Sequence, residues 1–292
     1  MDSQRGFTAR GHDDEDNRSY RTYSTYMENL PSSFRQPYQD LADLPKYQHF
    51  VRIPDRIIQC IDYFGITSDR AVTKSRLLAY YLFIGVVDDA IDSGRIDAGK
   101  LVLEDLSRPA PVFDEEVTRS SVRLITEILK STINDKTYPL MVDKLKELYS
   151  EVVSERGATS IDTYIVHRKS VGSLTAELSF VLVEQDLSGE LEALLQFMKQ
   201  VGAIGCLFDS LLDLRNDCRL GLVGFKPRMM DYEKLINCIL RDGLRVLLRH
   251  PGLGRLFLRA IFDNVHDCFR VKRDSPQPSF IADRKDKAAS VA

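Results

Sequence analysis

Apolar positions recur every three to four residues along most of this chain, and the breaks between them fall at Gly, Pro and Ser clusters. The longest apolar run, 77–87, lies inside KSRLLAYYLFIGVVDDAID. That segment predicts a helix with Ser68 as N-cap, Asp69 in the first turn and a stop at Ser93-Gly94. Upstream, 41–49 and 54–63 predict short helical pieces. Residues 93–113, with Pro109 and Pro111, predict a loop. Amphipathic helices follow over 114–130 and 136–156, with Pro139 tolerated in the first turn of the second. After a break at 157–160, Ser160 caps a helix through about residue 184. Ser188 caps a longer helix that ends at Gly221. A loop at 222–228 precedes helices over about 231–250 and 253–271, split by Pro251-Gly252. No stretch alternates with the strand period, and no segment repeats. The expected fold class is all-α, a single-domain bundle of roughly eight to ten helices over 31–272. Residues 1–30 and 273–292 are too polar to join a core and are expected to be disordered tails.

Composition narrows the class without naming an activity. The 292 residues suffice for one large domain or two small ones. At 43% hydrophobic and 28% charged, with net charge −3, the chain reads as a soluble globular protein with no pull toward nucleic acid. Five cysteines are scattered without a C-x-x-C pair, which fits reduced thiols in the cytoplasm. The N-terminal stretch lacks a signal-peptide hydrophobic region, and the 77–87 run is too short to span a bilayer.

The chemistry gathers in three places. Asp209, Asp213 and Asp217 are spaced by four, so they share one helical stripe within the apolar setting of Leu207, Phe208, Leu211 and Leu212. Like charges at that spacing repel, and an apolar setting penalises each unpaired one. The stripe is either a solvated acidic face or a cation site. A second cluster, Asp88, Asp89 and Asp92, closes a strongly apolar helix, where the helix dipole disfavours negative charge. Such a local violation marks a functional site or a helix end entering solvent. Magnesium suits it, being held by one or two carboxylates plus substrate phosphates. The third place is TYIVHRKSVG, where Tyr164, Arg168 and Gly172 recur every four residues and His167 and Lys169 flank Arg168. It is either a surface basic patch or a phosphate grip.

Together these pieces resemble the class I isoprenoid (terpenoid) synthase superfamily, including terpene cyclases and squalene/phytoene synthases. D-D-x-x-D at 88–92 is similar to the family's first aspartate-rich motif, and Asp209, Asp213 and Asp217 to its second metal motif. Tyr164 through Gly172 is similar to the diphosphate-sensing segment, with the hydroxyl residue shifted by one place. The resemblance covers about 70–225. Three positions depart from the phytoene synthase pattern: Gly85, Cys206 and Leu212 stand where Arg, Gln and Arg are usual.

The resemblance implies a helical bundle around a central apolar cavity, with Mg²⁺ bound by Asp88, Asp89, Asp92, Asp209, Asp213 and Asp217. Arg168 and Tyr164 become the catalytic candidates, and Arg168, Lys169, Tyr81 and Phe208 the substrate-binding ones. Tyr80, Phe83 and Phe180 join Tyr81 and Phe208 as residues that either line the cavity or fill the core. The implied activity is Mg²⁺-dependent ionisation of an allylic prenyl diphosphate, then cyclisation or elimination. The alternatives are condensation of two prenyl diphosphates and a non-catalytic binding protein of the same fold. The departures favour the single-substrate reaction. Five arginines among leucines at 241–259 suggest at most weak, salt-sensitive contact with an anionic membrane, against a solvated face packed on the core.

Overall fold

A computed structural model describes residues 30–263 except 96 and 261. The predicted tails 1–29 and 273–292 and the distal part of the last predicted helix lie outside the described residues. Leu30, counted with the N-terminal tail in the sequence reading, is buried in the core, and its carbonyl accepts from Arg35 Nε at 2.9 Å.

The described chain is all-α. Its helices are α1 (Ser32–Asp43), α2 (Gln48–Tyr63), α3 (Arg70–Asp92), α4 (Ala98–Leu106), α5 (Ser121–Thr132), α6 (Tyr138–Arg156), α7 (Ile161–Val183), α8 (Leu191–Leu220) and α9 (Met229–Arg249). Further helical residues run over 254–260. α3 and α7 are the central helices. Leu77, Leu78, Tyr80, Tyr81, Leu82 and Phe83 are consecutive or nearly so and all buried, so α3 has no polar face over this stretch. α2, α4, α5 and α7 pack around α3, while α6 and α8 pack on α7. α8 is the one described helix long and apolar enough to cross a membrane by length and composition. Its Leu194, Phe197, Met198, Leu207 and Leu214 are spent on packing within the bundle.

Local chemistry explains several boundaries. Asp69, not Ser68, caps α3: its Oδ1 accepts from the backbone N–H groups of Ala71 and Val72 at 3.1 and 3.2 Å. Ser160 caps α7 as expected. Gly221 ends α8 in the left-handed conformation at φ 73°, where a side chain would be strained. Ser188 does not cap α8. Its backbone pairs with Thr67 in a two-stranded antiparallel clasp, β1 (Thr67–Ser68) with β2 (Leu187–Ser188), and Glu190 takes the cap position. The predicted loop at 93–113 contains α4, and the predicted helix at 114–130 is split into a 3₁₀ turn, Val117–Arg119, and α5.

Two features set the geometry that follows. The clasp ties together the chain segments that enter α3 and α8, giving both helices a common origin. α7 and α8 then approach backbone to backbone. A Cβ at Gly172 would stand 2.2 Å from the Gly202 carbonyl oxygen, and one at Gly202 would stand 2.3 Å from that of Gly172. Only glycine fits at either position.

Candidate active site

The two acidic motifs lie at equal depth. Asp88 is 18 residues beyond the start of α3, and Asp209 is 18 residues beyond the start of α8. At 1.5 Å per residue each is about 27 Å from the clasp. α3 and α8 both pack on α7. The acidic ends therefore flank the same stretch of α7, and that stretch carries Arg168.

Arg168 is the hub. Its side chain is largely buried, and its guanidinium donates in four directions. Nε donates to Ser210 Oγ at 2.8 Å, Nη1 to Glu155 at 3.3 and 3.4 Å, and Nη2 to the Cys206 carbonyl and Asp209 Oδ2 at 3.3 Å each. The Gly172–Gly202 crossing makes this reach possible, because Arg168 lies one turn from Gly172 and Cys206 one turn from Gly202. Ser210 Oγ donates to the Cys206 carbonyl at 2.9 Å and accepts from Tyr164 Oη at 3.2 Å, so it holds two α7 side chains in register.

The carboxylates act on one another across this hub. Asp88 is reached by solvent yet walled by protein, as expected of a group on the side of a cleft. Desolvation by that wall, then the negative charge of Asp92, pushes its carboxyl up to about 7, against the pull of Arg168; Asp209 and Glu155 add to the rise. Asp217 is likewise pushed up to about 7 by burial; Arg168 draws it back, while Asp213, Asp92 and Asp209 drive it higher. Burial also raises Asp92, which Arg156 opposes from 3.7 Å, and raises Glu155, which Arg168 opposes. The α3 and α8 motifs thus share one field and repel.

The expected site residues do not all meet there. Asp89 turns outward, accepting from Lys46 Nζ at 2.7 Å and Tyr47 Oη at 3.0 Å. Lys169 donates to Asp242 of α9 at 2.7 Å and lines a groove away from the carboxylates. Tyr164 is fully buried, so it positions Ser210 and does not face a substrate; this corrects its catalytic assignment. Tyr81 is also core, its hydroxyl 3.3 Å from Ser179 Oγ, which corrects its substrate-binding assignment. Tyr80, Phe83 and Phe180 are buried with it, filling the core; Phe208 is half-buried. His167 pairs with Glu151 at 2.9 Å.

Glu155, Ser210 and Arg156 were not read from the sequence as site residues. Ser210 carried one signal, a hydroxyl beside Asp209 in an otherwise apolar turn. Glu155 and Arg156 carried none, since they close α6 and only the packing of α6 on α7 turns them toward Arg168 and Asp92.

Among the described residues, no three His, Cys, Asp or Glu side chains converge on one metal-sized point. The oxygen-only donors that face each other still fit magnesium, which needs only one or two carboxylates per ion when phosphate oxygens complete its shell. No family model, curated protein or solved structure matches the chain.

Proposed function

We propose that this chain is a class I terpene synthase that ionises an allylic prenyl diphosphate and then cyclises or eliminates. The observation that carries the reading is the equal depth of Asp88 and Asp209 on two helices flanking Arg168. Magnesium, when bound, supplies positive charge that neutralises the diphosphate leaving group. Asp88, Asp92, Asp209, Asp213 and Asp217 are the residues that would hold it, and Asp89 is the least suited because Lys46 and Tyr47 engage it. Arg168 is the residue that meets the diphosphate. Its Nη2 bonds are both long at 3.3 Å, so that donor can turn from Asp209 to a phosphate oxygen while Nε stays on Ser210. Glu155 keeps the guanidinium aimed. The C–O bond breaks with its electron pair leaving on diphosphate. The allylic cation, either directly or after closing a ring, loses a proton to the released diphosphate, giving hydrocarbon and protonated inorganic diphosphate. The reading places the reaction in the cytoplasm.

Condensation of two prenyl diphosphates is less well supported. At Gly85, a Cβ would stand 2.4 Å from the Phe50 ring, so the arginine usual there in phytoene synthases has no room. Binding of diphosphate without turnover is the second reading, and the packing of Tyr80, Tyr81, Phe83 and Phe180 favours it, since none of the four faces open space.

The test is incubation of the purified chain with Mg²⁺ and prenyl diphosphates of several lengths, assayed for extractable hydrocarbon and released diphosphate. Hydrocarbon from the parent and none from Asp88→Ala or Asp209→Ala, with helicity kept, is expected. Tight diphosphate binding without hydrocarbon supports the second reading. Full activity in either variant removes the metal-site assignment.

A further inference from the structure

The outer face of α9 is covered by nothing among the described residues. Leu240, Leu244 and Leu248 are 65%, 58% and 74% exposed, and Ile236, Met229 and Met230 extend the same surface toward the helix start. The inner face is satisfied separately by Leu235 and Val246, which are buried. A four-residue spacing drifts only slowly around a helix, so the three leucines form one stripe opposite the core-facing side. Arg241, Arg245 and Arg249 follow the leucines one position later each and form a parallel row along the stripe's far edge. The next helical residues repeat the pairing, with Leu258 and Phe262 exposed near Arg255 and Arg259.

Beyond the arginine row lies the groove that holds Lys169. Its volume is about 510 Å³, and Lys169, Lys199, Arg245 and Arg249 contribute four cations to its walls, beside Ser170 and Gln200. Its one lining carboxylate, Asp242, is already shared by Lys169 at 2.7 Å, Arg241 at 3.0 Å and Arg245 at 3.4 Å. Lys199 pairs with Glu177 at 2.8 Å. The walls keep an excess of positive charge, and the hydroxyl and amide groups there can donate to phosphate oxygens.

We propose that the α9 stripe and this groove form one docking face for an anionic phospholipid membrane. The leucines enter the headgroup–acyl boundary, and lipid phosphates meet the arginine row and the groove. Charge complementarity selects this occupant. The acidic residues of α9 on its outer side, Asp231 and Glu233, are confined to its start, so nothing negative interrupts the row along the remaining helix except Asp242, which is engaged. A second copy packed antiparallel on the same stripe would set one arginine row against the other, and the one carboxylate along the row, Asp242, is already shared among Lys169, Arg241 and Arg245. A helix of 21 residues, about 30 Å long, lies flat on a bilayer with all three leucines at one depth.

The chain has no tryptophan, so Leu244→Trp supplies a single reporter on the stripe. The full chain carrying it is mixed with phosphatidylcholine vesicles with and without phosphatidylserine, at low and high salt. The expected result is a blue shift and co-sedimentation with the serine-lipid vesicles at low salt only. Arg245→Gln with Arg249→Gln is expected to weaken that binding about tenfold or more, since each basic residue near such a surface contributes several-fold. Leu240→Gln with Leu248→Gln is expected to weaken it comparably, with helicity unchanged because both side chains are already exposed. No binding at low salt overturns the proposal. So does a blue shift that tracks self-association in the absence of vesicles, or groove protection by inorganic phosphate with no vesicle binding. Vesicle binding does not depend on catalysis, so an inactive protein that docks leaves this proposal standing.

Discussion

Replacing Asp88 with Asn should make the protein more stable while removing the activity proposed for it. In the folded chain the Asp88 carboxyl is pushed from an ordinary value of 3.8 up to about 7, first by desolvation and then by Asp92. A carboxyl with a raised folded pKa favours the folded state most below its unfolded pKa, and that stability is lost as pH climbs through the folded value. The parent should therefore lose stability between about pH 4 and pH 7, opposite in sign to a salt-bridged aspartate. Taken at face value, a rise of roughly three units is worth about 4 kcal/mol. Because solvent reaches Asp88, screening reduces this to about 1–2 kcal/mol. Asn removes the charge at nearly constant shape, so Asp88→Asn should melt about 2–6 °C above the parent at pH 8, at the shift per kcal/mol usual for chains of this size. The offset should shrink toward zero at pH 4. The assay is thermal unfolding in chelator from pH 4 to pH 8, with Asp89→Asn as contrast. Asp89 pairs with Lys46 at an exposed position, so its loss should lower stability by under about 1 kcal/mol. An Asp88→Asn protein that melts at or below the parent at pH 8, or by the same offset at every pH, would refute the reasoning.

Mg²⁺ should raise the parent's melting temperature at pH 8 and raise that of Asp88→Asn far less, because binding to the folded state alone stabilises it; differential scanning fluorimetry reads both. Arg168→Lys should lower turnover about 10²-fold or more, since Lys loses the fork that serves Ser210, Glu155 and Asp209 together; equal steady-state rates would return Arg168 to a structural role. Gly202→Ala should destabilise by about 1–3 kcal/mol in urea titration, because its Cβ meets the Gly172 carbonyl and the helices must part. Lys130→Ala should cost about 3 kcal/mol in the same titration, since it leaves the Glu127 charge buried with the Val112 N–H as its remaining donor.

The helices that carry the site were legible because strong punctuation bounds them: Gly94 after α3, Ser160 before α7 and Gly221 after α8. α4 was hidden because a short helix between proline and glycine has too few turns to show a period. Ser188 misled because its backbone was needed by the clasp, a partner 121 residues away at Thr67. Within the site, the aspartate spacing was visible, but which carboxylates face each other was not. Arg168 and Lys169 are adjacent and alike in charge. On a helix they diverge by about 100°, which sends one to the carboxylates and the other to the groove. Only packing could tell them apart. The exposure of Leu240, Leu244 and Leu248 was equally silent, because an apolar stripe in sequence looks the same whether or not a neighbour covers it.

The two tight glycine contacts make the site a vice with one fixed jaw and one adjustable jaw. At Gly172 and Gly202 the obstacle is backbone, which cannot be trimmed, so the α7–α8 side holds its spacing whatever residues are exchanged around it. At Gly85 the obstacle is the ring of Phe50, a side chain that a single substitution can shorten. Changes in helix spacing are therefore accessible between α2 and α3 and barred between α7 and α8. Phe50→Ala together with Gly85→Ala would reset the movable jaw, leaving Arg168 seated on Ser210.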